Sequence, residues 1–124
     1  MLENTETIAA LGRLLIGGAF VVAGVRNIRA FAFLTEMVRK TGLPVPTLCL
    51  AVAIATQIAG GAAFAAGIGL GPAVLALCVF MVLATVLFHN FWSFQGPERV
   101  EHVNAFIGNS MITGGLLLGF AATV

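Results

Sequence analysis

Charge is what this sequence has least of. Only 9% of its 124 residues are Asp, Glu, Lys or Arg, six of them basic and five acidic. A soluble domain carries about 25% charged residues, so this chain cannot cover a water-soluble globule with polar surface. The formal net charge is +1 and no basic run is present, which gives no footing for nucleic acid. Cysteine is nearly as scarce. Cys49 and Cys78 each sit in an apolar run without CxxC or zinc spacing, which excludes a disulfide framework and a cysteine metal site. They read as small packing residues, and helical placement separates them by on the order of 18 Å, too far for a bridge. No secretory leader is expected either, because "MLENTETIAALGR" is acidic until Arg13 where a signal needs a basic start.

What is abundant is apolar. Hydrophobic residues make up 60% of the chain, the mean hydropathy is +1.06, and the bilayer is the expected solvent. Fifteen glycines suit close helix packing in lipid. Four blocks approach the roughly 20 residues that cross a hydrocarbon core: Thr7–Arg26, Thr47–Ala66, Ala73–Trp92 and Val103–Ala122. In lipid each must be helical to satisfy its backbone. The expected fold is therefore an all-α membrane protein, one four-helix transmembrane bundle over residues 1–124.

The connector Asn27–Pro46 is longer than the others. Ile28, Phe31, Leu34 and Val38 fall on one helical face, with Arg29, Glu36, Arg39 and Lys40 largely elsewhere and Phe33 as the exception. This predicts an amphipathic interfacial helix, or a short helix capping the bundle, ended by Gly42 and Pro44. Arg26, Arg29, Arg39, Lys40 and Arg99 all lie on the side of connectors one and three. The positive-inside bias turns that side to the cytoplasm and both termini to the periplasm. "GGAFVVAG", "GGAAFAAG" and "TGGLLLG" echo one another in blocks one, two and four and predict tight helix crossings.

Polar side chains at membrane depth each need a partner. Counted from the side of connectors one and three, His89 and Arg26 lie near the interface. Asn109 lies about 9 Å in, Gln57 about 15 Å and Arg13 about 20 Å. No acidic residue inside an apolar block neutralises Arg13. Its candidate partners are Gln57, carbonyls near Gly60–Gly61 or a ligand anion, with snorkelling to the outer interface as the alternative. Gln57 and Asn109 read first as interhelical hydrogen-bond glue. His89 opens "HNFWSFQG", where Phe88, Phe91, Trp92 and Phe94 look like an interfacial aromatic belt. The same histidine can instead bond a quinone carbonyl or shuttle protons. A metal site would need a second ligand at matching depth; His102 lies beyond the polar turn, so no metal site is expected.

Six pieces in this order and spacing resemble the DoxX family of small four-helix membrane proteins. They are "LGRLLIGGAFVVAG", "GLPVP", "QIAGG", "ATVLFHNFW", "GPER" and "GNSMITGGLLL", which together span nearly the whole chain. The resemblance implies a bacterial inner-membrane protein described as an oxidoreductase or the membrane subunit of one. Relatives include the DoxD part of a thiosulfate:quinone oxidoreductase and MauE-like maturation proteins. The chain also departs from the pattern. Family members commonly have glutamate where this chain has Gln57, and lysine where it has Gly108 and Asn27. The only buried carboxylate is thereby lost, and with it the group that proton transfer at that position would need.

Two functions follow. One is a quinone-associated redox protein, or the membrane subunit of a redox complex, with His89, Asn90, Trp92, Arg26 and Asn109 as ligand-binding candidates and Arg13 and Gln57 as buried structural polar residues. Its partners would be the bilayer, a redox protein or a second copy of the chain. The other is a non-catalytic membrane module that assembles or stabilises a partner enzyme, or carries a small hydrophobic molecule.

Overall fold

The computed structural model describes residues 2–122, and among them every regular element is helical. Helix α1 is Leu2–Arg29, α2 is Phe31–Lys40, α3 is Pro46–Ala66, α4 is Leu70–Phe88 and α5 is Gly96–Ala121. Residues Thr56–Gly60 form a π turn inside α3, and a 3-10 turn, Phe91–Ser93, precedes α5. Four of the five helices are long and apolar enough to cross a membrane, and the short α2 lies between the first two.

Several helix ends differ from the hydropathy boundaries. Nothing in "LENTE" breaks a helix, so α1 starts at Leu2, and it continues past Arg26 to Arg29. Helix α4 stops at Phe88, four residues short of Trp92, because the His89 and Asn90 backbones leave helical geometry at φ −121°, ψ 38° and φ −78°, ψ 73°. Helix α5 begins at Gly96, with Pro97 suited to its first turn and Glu98 facing the positive end of the helix dipole.

The glycine echoes are where α1, α3 and α5 cross. Gly17 and Gly61, one from each of the first two echoes, are in backbone contact. A methyl on Gly17 would stand 2.4 Å from the Gly61 carbonyl oxygen, and one on Gly61 would stand 2.7 Å from that of Gly17. Gly24 is closed by Ile58, and Gly119, from the third echo, by the Phe64 ring. These contacts set α1 antiparallel to α3. The hairpin from α3 to α4 turns on Gly67 and Gly69, at φ 74° and 56°, a region that side chains avoid.

Two apolar clusters result. The first joins Phe20, Phe64, Val74, Leu77, Met81 and Leu116 across all four long helices. The second sets Val38 of α2 against Leu50 and Ile54 of α3, with Phe31, Leu34 and Phe88 around them. The apolar face of α2 therefore meets α3, while Phe33 points outward. Both cysteines are free thiols packed at the margins of these clusters. Most other large apolar side chains face outward, as lipid contact requires.

Candidate functional site: a groove open to lipid

The early end of α4 changes the surroundings of His89. Leaving the helix at Phe88 turns the chain back toward the first turns of α5, and His89 meets His102. The two Nδ1 atoms are 3.1 Å apart and the ring centroids 5.3 Å. At that distance one Nδ1–H donates and the other Nδ1 accepts, so the pair holds one proton between its facing nitrogens. Phe94 stacks on His102 with centroids 4.0 Å apart. Phe91 stands edge-on to both Trp92 and Phe106, with the Arg99 guanidinium 5.9 Å from its ring centre.

Both histidines line a cavity of about 910 Å³ between α2, α3 and α4. Its α4 wall is a stripe at helical spacing, Ala76, Phe80, Leu83, Leu87 and Phe88. Leu34, Met37 and Val38 of α2 and Leu50, Ala53 and Thr56 of α3 form the facing walls. The lining residues Leu48, Val52 and Leu83 are more than half exposed, so the groove opens sideways toward lipid. Its volume is within the range that holds a drug-sized molecule. Polar groups occur at two levels only, the histidines at one end and Asn27, Thr56 and Gln57 deeper. No Asp, Glu, Lys or Arg is among the described residues lining it.

Gln57 and Asn27 form the deeper station. Asn27 Nδ2 donates to Gln57 Oε1 at 2.9 Å. Gln57 sits on the π turn, whose extra residue rotates the following side chains by roughly a quarter turn or more about the axis. Gln57, one of the candidate partners of Arg13, is therefore bonded to Asn27 instead. The antiparallel register of α1 and α3 brings Asn27 to Gln57 and sends Arg13 to the other end of α3. There the guanidinium lies over Gly67, whose methyl would stand 3.4 Å from an Arg13 nitrogen. That position is beside the negative end of the α3 dipole, which stabilises a cation. Arg13 Nε is buried with no hydrogen-bond partner among the described residues.

The remaining candidates scatter. Arg26 is exposed and does not line the groove. Asn90 donates to Ser93 Oγ at 3.2 Å within its own turn, and Trp92 is 57% exposed. Asn109 donates to Thr85 Oγ1 at 3.0 Å, tying α5 to α4, and the Thr85 hydroxyl donates to the Met81 carbonyl. The candidates His89, Arg26 and Asn109 do not come together, and His89 contacts His102 instead. The sequence sets His102 aside as a partner of His89 because it lies beyond the polar turn, and Asn27 is not among the candidates. The signal for His102 was the Gly-Pro helix start at 96–97, which lets a short turn fold back. For Asn27 it was an amide one turn from the end of α1 facing a second amide.

No curated protein and no solved structure matches the chain. The DoxX family matches over residues 8–90. That segment carries Arg13, Arg26, Asn27, Gln57, His89 and Asn90. It stops before Trp92, His102 and Asn109, so the pieces "GPER" and "GNSMITGGLLL" fall outside it. With 83 of 124 residues matched, the chain belongs to the DoxX family as an integral membrane protein with four candidate spans.

Proposed function

We propose that the groove between α2, α3 and α4 holds a membrane-resident amphiphile, with its polar head at His89 and His102 and its apolar part along α3 and α4. A quinone is the ligand class that joins this reading to the redox role described for the family. A quinone carbonyl accepts a hydrogen bond from a ring N–H, and its tail suits an apolar slot open to lipid. On this reading electrons reach the ligand through a partner redox protein, and the chain supplies the slot, the orientation and the hydrogen bonds. The observation that carries the proposal is the pair of histidines at the rim of a cavity whose walls are largely apolar and carry no charge among the described residues.

The exposed rim at Leu48, Val52 and Leu83 favours a second use of the same groove, exchange of a small hydrophobic molecule with the bilayer or a partner enzyme without catalysis. Both readings place the chain in a bacterial inner membrane with α2 and the α4–α5 turn toward the cytoplasm, as the Arg and Lys distribution favours. The test is purification in mild detergent, absorption spectroscopy and mass spectrometry of the extract, for the natural chain and for His89→Phe. The natural chain should carry a neutral amphiphile enriched over bulk lipid, with a quinone absorption band on the redox reading. His89→Phe keeps size and interfacial character, should fold, and should lose that molecule. Retention of it by His89→Phe contradicts the role given to the rim.

A further inference from the structure

The deeper polar station has no task in that reading, and it is built in a way that packing alone does not require. Gln57 is more than nine-tenths buried, at 6% exposure, and lies on the π turn. Such turns are rare in helices and concentrate at functional sites. Among the described residues, the hydrogen bond from Asn27 to Gln57 Oε1 is the only one that either side chain makes. Two amides sharing one bond leave an NH₂ group on one and a carbonyl on the other, and reversing both amides together does not change that inventory. Both residues line the groove. A lipid acyl chain lying there would cover a donor and an acceptor without bonding them, which disfavours it.

The depth of the station follows from the α3–α4 hairpin. A methyl on Gly60 would stand 3.1 Å from Leu77, so Gln57, three residues earlier, lies level with Phe80. From Phe80 to His89 is nine residues of α4 and its cap, about 13 Å along the axis. The two stations are thus separated by a purely apolar interval, and no charged side chain lines either among the described residues.

We infer that the Asn27–Gln57 pair is a second recognition point, which selects an uncharged amphiphile carrying a hydroxyl or carbonyl about 13 Å from its head. This rests on the groove being a ligand site. The ligand's deeper oxygen accepts from the free NH₂ group or, as a hydroxyl, donates to the free carbonyl. Ordinary phospholipid tails lack a group at that level and are passed over.

Two probes that differ at one atom test this: octadecane-1,12-diol and octadecan-1-ol. Eleven carbon–carbon bonds of about 1.5 Å each, in zigzag, carry the second hydroxyl to the depth of Gln57. Binding is measured on the full chain in nanodiscs by native mass spectrometry. The natural chain should bind the diol about five- to tenfold more tightly than the mono-alcohol, the worth of one hydrogen bond formed in place of a buried unpaired group. The double variant Asn27→Leu, Gln57→Leu removes both partners together, so no orphan is left to unfold it. It should bind the two probes alike. His89→Phe should weaken both probes by the same factor and keep the preference. Equal binding of the two probes by the natural chain overturns the inference and leaves the groove standing. A preference that survives in the double variant also overturns it. Binding of neither probe overturns the groove reading, and this inference with it.

Discussion

Replacing Gly17 by alanine adds one methyl at the point where α1 and α3 touch through their backbones. The new carbon would stand 2.4 Å from the Gly61 carbonyl oxygen, 2.6 Å from the Ala65 nitrogen and 2.8 Å from the Ala65 methyl. Ordinary contact between such atoms begins at about 3.5 Å, so the two helices must part by about 1 Å. Neither backbone atom can rotate away as a side chain would. Over-packing of this kind costs about 1–3 kcal/mol, and alanine returns about 0.5–1 kcal/mol of helix stability over glycine. The next residue supplies the control. A methyl on Gly18 would meet nothing within 4 Å, so Gly18→Ala keeps the gain and avoids the clash. The two variants should differ by the over-packing term, about 1–3 kcal/mol, in unfolding titrations from mild into denaturing detergent followed by Trp92 fluorescence. Equal midpoints for Gly17→Ala and Gly18→Ala would refute the close crossing of α1 and α3.

Arg13 and Gln57 sit at separate stations, so Arg13→Leu and Gln57→Leu should add to within about 0.5 kcal/mol in the double variant, whereas coupling beyond that would mean the side chains meet. Asn109→Leu removes one interhelical hydrogen bond and leaves Thr85 still bonded to the Met81 carbonyl. Its cost in the same titration should be about 0.5–1.5 kcal/mol, and a larger loss would give Asn109 a role beyond joining α4 to α5. Reporter fusions after Val124 should score as periplasmic, and a cytoplasmic C-terminus would invert the assigned orientation.

Much of the bundle was legible because it depends on composition alone. The four apolar blocks, the amphipathic pattern at Phe31, Leu34 and Val38, and the glycine echoes each report a local property, and each reappears as a helix, a packed face or a crossing. The end of α4 was not legible, since "LFHNFW" stays apolar and aromatic through Trp92 while the backbone turns at His89. Hydropathy does not register a change of φ and ψ. The contact of His89 with His102 depends on that turn, which is why the polar connector between them argued against it. The Asn27–Gln57 bond needs the register of α1 on α3, fixed ten residues from Asn27 at Gly17. Arg13 shows the same limit from the other side. Depth estimates brought it within reach of Gln57, and the register put Gly67 there instead. The family resemblance pointed to His89 and Gln57 but said nothing of His102, which the matched segment does not reach.

The central claim is that a membrane ligand lies between α2, α3 and α4. A long-chain alcohol bearing a diazirine at mid-chain tests it directly in nanodiscs, with adducts mapped by peptide mass spectrometry. The groove account predicts saturable labelling concentrated on Val52, Ala53, Leu83 and Leu87, competed by the unlabelled alcohol. Exposed apolar residues of α5 that face away, Met111 at 68% exposure and Leu118 at 73%, provide the comparison. Labelling that follows exposed apolar surface, with Met111 and Leu118 modified as strongly as Val52 and Leu83 and no competition, would contradict it.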